Sequence, residues 1–133
     1  MENQNNTNNY TSKILVIEDD PFLANLLKLR LEKDKFEVIQ AKDGEEALKK
    51  LKEIEPDLIL LDLILPKKSG FEVLEDISLN PSLRNKPVII LSNLGQTADI
   101  QRGKQLGAVE YFVKAKISID DLILKIKEFL QKK

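Results

Sequence analysis

Neither cysteine nor histidine occurs anywhere in the 133 residues of this chain. Without cysteine there is no disulfide, no thiolate nucleophile and no Cys-based zinc site, and the redox compartment is unreadable. Without histidine there is no Ser-His-Asp triad, no imidazole base and no His-held metal. Chemistry here has only carboxylates, hydroxyls, lysine and a hard metal ion to draw on. An excess of one charge is also missing, with 21 basic against 22 acidic residues. That balance gives no sign of nucleic acid or an anionic membrane as a partner. No apolar run approaches the roughly 18 residues of a membrane span, and the N-terminus has no signal-peptide core, so the cytoplasm is the expected compartment. With 42% apolar and 32% charged residues, the chain is a single globular domain that can bury about two thirds of its unfolded surface.

What is present is an alternation. Residues 1–12, MENQNNTNNYTS, are polar and Asn-rich and read as a disordered leader. The domain then runs over 13–131. Ile14–Ile17 is a short apolar strand, and Asp20-Pro21 is a cap followed by proline at the first helical position. Leu23, Leu26, Leu27 and Leu31 follow at helical spacing. Phe36–Ala41 is a second strand, and Asp43-Gly44-Glu45-Glu46 has capping-box spacing before Ala47, Leu48, Leu51 and Ile54. Leu58–Leu61 is the third strand, Gly70–Leu79 a helix stopped by Asn80-Pro81, and Val88–Leu91 the fourth strand. A weakly amphipathic helix over Ala98–Leu106 ends at Gly107, Val109–Val113 is the fifth strand, and Ser118 caps the last helix. Ile119, Leu122, Ile123, Ile126, Phe129 and Leu130 line the inward face of that helix. Five strands alternating with five helices predict an α/β fold, a doubly wound five-stranded parallel sheet of order 2-1-3-4-5.

The most informative segment is DLILLDLILP, Asp57 to Pro66. Its Leu/Ile run is what a parallel strand buried on both faces looks like, and it ends on a carboxylate, Asp62. Ligands bind at that end of an open α/β sheet. In the predicted order Glu18, Asp19 and Asp20 end the first strand, Asp62 the third, Ser92 the fourth and Lys114 the fifth. Three packed carboxylates repel one another, and a divalent cation reverses the penalty. All-oxygen ligands point to Mg²⁺, Mn²⁺ or Ca²⁺, and Mg²⁺ is commonly held by one or two carboxylates plus phosphate and water. The most economical chemistry is in-line attack by Asp62 on a phosphoryl group. Glu18 and Asp19 then hold the metal, and Lys114 and the Ser92 hydroxyl meet the phosphoryl oxygens.

With these residues in place the chain resembles the receiver domain of bacterial two-component response regulators, in the stand-alone form of the chemotaxis regulators. ILVIEDDP is similar to that family's acidic-pair strand and DLILLDLILPKKSG to its phosphoacceptor segment. PVIILSN carries the hydroxyl position and GAVEYFVKA the lysine position. The resemblance implies a flavodoxin-like receiver fold, with Asp62 as phosphoacceptor, Glu18 and Asp19 as the metal pair, and the Ile64 backbone carbonyl as a further ligand of Mg²⁺, with Mn²⁺ a possible substitute. It makes Ser92 the switch hydroxyl, Lys114 the family lysine and Tyr111 the aromatic switch. The implied function is a phosphorylation-dependent signalling switch. Phosphate comes from a sensor histidine kinase or a histidine phosphotransfer protein, and the face of the fourth helix, fifth strand and fifth helix changes shape for a downstream protein target. Such a chain catalyses its own Mg²⁺-dependent phosphorylation and slow dephosphorylation without being a turnover enzyme in the usual sense. Nucleic acid and membrane are not expected as partners.

Two positions depart from the family pattern. Ala115 follows the lysine where proline is typical, which makes Lys116 a rival for its role, and Asn93 follows the hydroxyl where a small residue is usual. Two rival functions therefore stay open at this point: a degenerate receiver that binds partners without phosphorylation, and a metal-dependent phosphatase. Ile64 and Leu94, two residues beyond Asp62 and Ser92, are apolar and expected beside the path of attacking water, which predicts slow self-dephosphorylation.

Overall fold

The structure, a computed structural model, describes residues 11–131. Residues 1–10 of the expected leader lie outside the described residues, while Ser12 already belongs to the first strand. The elements run β1 (Ser12–Ile17), α1 (Pro21–Lys33), β2 (Phe36–Ala41), α2 (Gly44–Glu53), β3 (Leu58–Leu61), α3 (Gly70–Leu79), β4 (Val88–Ser92), α4 (Thr97–Gln105), β5 (Glu110–Val113) and α5 (Ile119–Gln131). All strand pairs are parallel, in the order β2-β1-β3-β4-β5 that the alternation predicts. Several elements differ in extent from the sequence reading: the first strand begins at Ser12, the fourth helix spans Thr97–Gln105 and the fifth strand begins at Glu110. The fourth strand extends to Ser92, and a 3₁₀ turn over Lys114–Lys116 intervenes before α5.

Side chains alternate across a strand, and the two faces of the sheet carry separate cores. Ile14, Val16, Leu58, Leu60, Ile89 and Leu91 pack on one face against Leu27 and Leu31 of α1 and Leu122, Ile123, Ile126 and Leu130 of α5. Leu15, Ile17, Ile59, Leu61 and Ile90 pack on the other against α2 and α3, through Ala47, Leu51, Val73, Leu74 and Ile77. Every residue of β3 and β4 is buried, which is why those strands read as unbroken apolar runs. Among the described residues no helix is long and apolar enough to cross a membrane.

Local chemistry sets the helix starts. Asp20 accepts from the Phe22 amide at 3.0 Å with Pro21 at the first helical position, and Ser118 accepts from the Asp121 amide at 3.0 Å. Asp43 accepts from the Glu46 amide at 2.8 Å, but the Glu46 carboxylate reaches back to the Lys42 amide, one residue before the cap. The complete capping box is at α3, where Ser69 and Glu72 satisfy each other's amides.

The β1–β3 register places Ile17 opposite Leu61, so Glu18 and Asp62 leave the sheet side by side. Ser92 pairs with Val113, so Lys114 emerges one residue past Ser92. Parallel pairing thus delivers all four groups to one edge.

At the far end of α1, Lys35 takes φ 70°, a left-handed conformation costing an L side chain about 1 kcal/mol. Lys35→Gly is expected to raise stability by about 0.5–1 kcal/mol, read as a rise in melting temperature by circular dichroism. An unchanged or lower midpoint would show that the Lys35 side chain contributes more than the strain it causes.

Candidate functional site

Asp62 follows β3 directly and is 4% exposed. Its amide donates to the Ile17 carbonyl at 3.0 Å, which stitches it to β1. One carboxylate oxygen, Oδ2, accepts from Lys114 Nζ at 2.8 Å, and the other, Oδ1, accepts from the Ile64 amide at 3.2 Å. Glu18, equally buried, receives the same ammonium at 2.8 Å on Oε1 and the Asp20 amide at 3.1 Å on Oε2. Asp19 is exposed beside them. One oxygen from each of Glu18, Asp19 and Asp62 lies within 4.8 Å of the others. Three carboxylates and one ammonium leave a formal charge of −2, which a divalent cation balances. An all-oxygen donor set of this kind fits a hard cation such as Mg²⁺ or Mn²⁺.

The electrostatics follow from burial. Burial pushes the Glu18 carboxyl above the ordinary carboxylate range and Asp62 adds repulsion, while the hydrogen bonds from Lys114 and the Asp20 amide only partly offset this. Burial draws Lys114 down, but its hydrogen bonds to Asp62 and Glu18 outweigh that, and the net direction is up. The ammonium is therefore a firm counter-charge. Lys116, its sequence rival, is exposed, and the ammonium that reaches the two buried carboxylates is that of Lys114.

Ser92 is fully buried at the end of β4, and its Oγ accepts from the Leu94 amide at 3.4 Å. The Leu94 carbonyl in turn accepts from the Tyr111 hydroxyl. One peptide segment therefore links the hydroxyl to the aromatic ring. Tyr111 already lies inward, 8% exposed, so no outside-to-inside rotation is needed to bury it. Room for the ring comes from Gly103 on α4, where a Cβ would stand 3.1 Å from Tyr111 Cδ2 and 2.7 Å from Ile90 Cδ1. Burial, with Asp99 and Asp62 adding, holds the Tyr111 phenol up and neutral.

One expectation needs correction. The Leu94 side chain packs against the core rather than standing free at the site, because its backbone is bound on both sides. Ile64 alone of the two apolar residues is open, at 54% exposure. Asn93 is exposed. Sequence reasoning missed Gly44 and Gly70, whose place against the β3–α3 loop is a matter of distance that no local pattern encodes.

The fold and the site together define a class: a doubly wound parallel α/β protein with a buried acidic cluster and a lysine at its strand ends. Residues 14–127 match the response regulator receiver domain, and the chain belongs to that family. It is 33% identical over 120 residues, 90% of this chain and 49% of the relative, to the DNA-binding dual master transcriptional regulator RpaA of Synechocystis. The chain spans about half the length of the curated relatives it matches. Among solved structures, the receiver domain of the Francisella response regulator 1452 superposes with a TM-score of 0.85 at 31% identity, covering 92% of this chain and 98% of that one. The Mn²⁺-bound form of the response regulator Rcp1 gives 0.81 at 31% identity, covering 92% and 96%. The expectation that nucleic acid is no partner finds no support, since RpaA is named as DNA-binding. A charge count over this chain says nothing about the part of such a relative that lies outside the match.

Replacing Lys114 with methionine leaves Glu18 and Asp62 buried without their counter-charge. A carboxyl whose folded pKa is raised contributes stability that is present below its unfolded pKa and lost as pH rises through the folded value. Lys114→Met is therefore expected to raise the Glu18 pKa further and to cost about 3 kcal/mol at neutral pH, a deficit that closes as the pH falls into the carboxylate range. Side-chain ¹³C titration and urea unfolding across pH check both parts, and a pH-independent deficit would refute the counter-charge role.

Proposed function

We propose that Asp62 is the phosphoacceptor of a phosphorylation-gated signalling switch. The observation that carries this reading is a buried carboxylate held in place through both its oxygens, with two further carboxylates and an ammonium at the same strand ends. An Asp62 oxygen attacks the phosphorus of a phosphohistidine in line. The new O–P bond forms as the P–N bond breaks, and the imidazole leaves with the bonding pair and takes a proton from solvent. The donor is a sensor histidine kinase or a histidine phosphotransfer protein, since this chain has no histidine of its own.

Glu18, Asp19, Asp62 and the Ile64 carbonyl hold Mg²⁺, or Mn²⁺ in its place. The bound cation supplies neutralisation of charge on the transferring oxygens. Lys114 supplies a second positive point from the end of β5, and the Ser92 hydroxyl donates to a phosphoryl oxygen. The phosphoryl group brings a charge of about −1.5 to −2. As it draws the Ser92 hydroxyl toward itself, the Leu94 segment follows, and Tyr111 moves with it through its hydrogen bond. The result reaches a groove of about 480 Å³ beside β5, lined by Gly95, Ile100, Tyr111, Val113 and Ile117. That face, between α4 and α5, is where a downstream protein target reads the state of the switch.

Intact-mass measurement after incubation with phosphoramidate and Mg²⁺ tests the acceptor. The expected result is a gain of one phosphoryl group, absent without Mg²⁺ and absent in Asp62→Asn. A folded, Mg²⁺-treated protein that gains nothing would favour a phosphorylation-independent binding module instead. Ile64 carries a second expectation. Apolar and exposed beside Asp62, it cannot orient water, so the phosphorylated protein should decay slowly and Ile64→Asn should decay several-fold faster. Decay within seconds in the unmodified chain, or no acceleration in the variant, would remove Ile64 from the explanation.

A further inference from the structure

The β3–α3 loop, residues 63–69, is fixed from outside the acidic site. At its C-terminal end Gly70 donates to the Leu63 carbonyl at 2.9 Å. A Cβ there would fall 2.3 Å from the Asp62 carbonyl oxygen and 2.5 Å from Leu63 Cα. In its middle, Lys67 takes φ 69° and the Lys68 amide donates to the Pro66 carbonyl at 2.7 Å, a three-residue turn of the strained hand. The outer side of that turn rests on α2. Gly44 donates to the same Pro66 carbonyl at 3.3 Å, and a Cβ at Gly44 would stand 2.1 Å from the Lys68 carbonyl oxygen and 2.5 Å from Lys68 Cβ. Gly44 is not among the positive-φ residues. Its glycine is required for space and not for backbone freedom.

We propose that Gly44 is a positioning residue for Asp62, acting through the loop that carries the Ile64 amide onto the Asp62 carboxylate. This rests on the reading of Asp62 as phosphoacceptor and cation ligand. A side chain at Gly44 meets backbone, so either α2 or the loop must shift. The helix is anchored in the core by Ala47 and Leu51, at 0% and 5% exposure, whereas the loop already holds a strained turn. The loop therefore yields. Because Gly70 and Leu63 tie its base to Asp62, the shift reaches the 3.2 Å bond between the Ile64 amide and Asp62 Oδ1. Gly44 touches neither the carboxylates nor Lys114, and its effect is on where they stand.

The test compares the full chain with Gly44→Ala and with Leu130→Ala, a core truncation on the other face of the sheet that lowers stability without touching the loop. Mn²⁺ affinity is measured by electron paramagnetic resonance of the free ion, the Ile64 amide by ¹⁵N NMR, and the midpoint of thermal unfolding alongside. Gly44→Ala should lose roughly 10- to 100-fold in Mn²⁺ affinity with a displaced Ile64 resonance. Leu130→Ala should lose thermal stability and keep both. Wild-type affinity and an unmoved Ile64 amide in folded Gly44→Ala would overturn the proposal. If Gly44→Ala does not fold under ambient conditions, the same measurements are made on it at low temperature with a stabilising osmolyte, which favours the compact state, and are read the same way. Phosphorylation by phosphoramidate separates the two readings. If the wild type never takes up phosphate, the acceptor role fails, while the Mn²⁺ and NMR results still decide the positioning.

Discussion

Lys114 Nζ stands 2.8 Å from Glu18 and 2.8 Å from Asp62, and much of the molecule is organised so that this contact can exist. Buried carboxylates are tolerable only when paired and hydrogen-bonded. Here the ammonium serves both, and backbone amides from Asp20 and Ile64 take up the remaining oxygens. The pairing draws together residues 18, 62 and 114 from three different strands, none of which are neighbours in sequence. Parallel topology is what makes this possible. Were any one strand reversed, its terminal residue would emerge at the opposite edge of the sheet.

The two cores divide the labour of holding that edge. α1 and α5 cover one face and lock to each other at their ends, through Arg30 with Asp120 at 2.7 Å and Lys127 with Asp34 at 3.2 Å. These partly exposed pairs contribute little energy and bridge the two helices beyond their shared core. On the other face, α2 and α3 bracket the loop after Asp62. The strand ends are thus clamped by elements with no chemistry of their own.

Much of this was legible beforehand because it is periodic. The unbroken run of Leu58–Leu61 announces a strand buried on both sides, and the stripe through Leu122, Ile126 and Leu130 announces α5. Asp62, Glu18 and Asp19 stand out because charge at the end of an apolar strand is costly without a purpose. What escaped is non-periodic. Gly44 sits in a sequence that reads as a helix cap, so its glycine looks sufficiently explained, and nothing local reveals that Lys68 passes within contact of it. The inward position of Tyr111 likewise depends on the absence of a side chain at Gly103, eight residues earlier and on another element. Leu94 looked like a residue open to the site, yet its amide bonds Ser92 and its carbonyl bonds Tyr111. Those are distances, and a linear pattern does not carry them.

The helices differ in how far they are committed to the core. α5 buries Leu122, Ile123, Ile126 and Leu130, whereas Gly103 is the one buried residue of α4 among the described residues. Gln96, at its N-cap, makes no side-chain capping bond. Apart from Ile100, which packs against the core, and Arg102, which lies 4.1 Å over the Phe71 ring, the side chains of α4 can therefore be exchanged without emptying the core or breaking a cap. A lineage that duplicated this chain could rewrite that helix, and with it the company the copy keeps, while the chemistry at the strand ends was inherited unaltered.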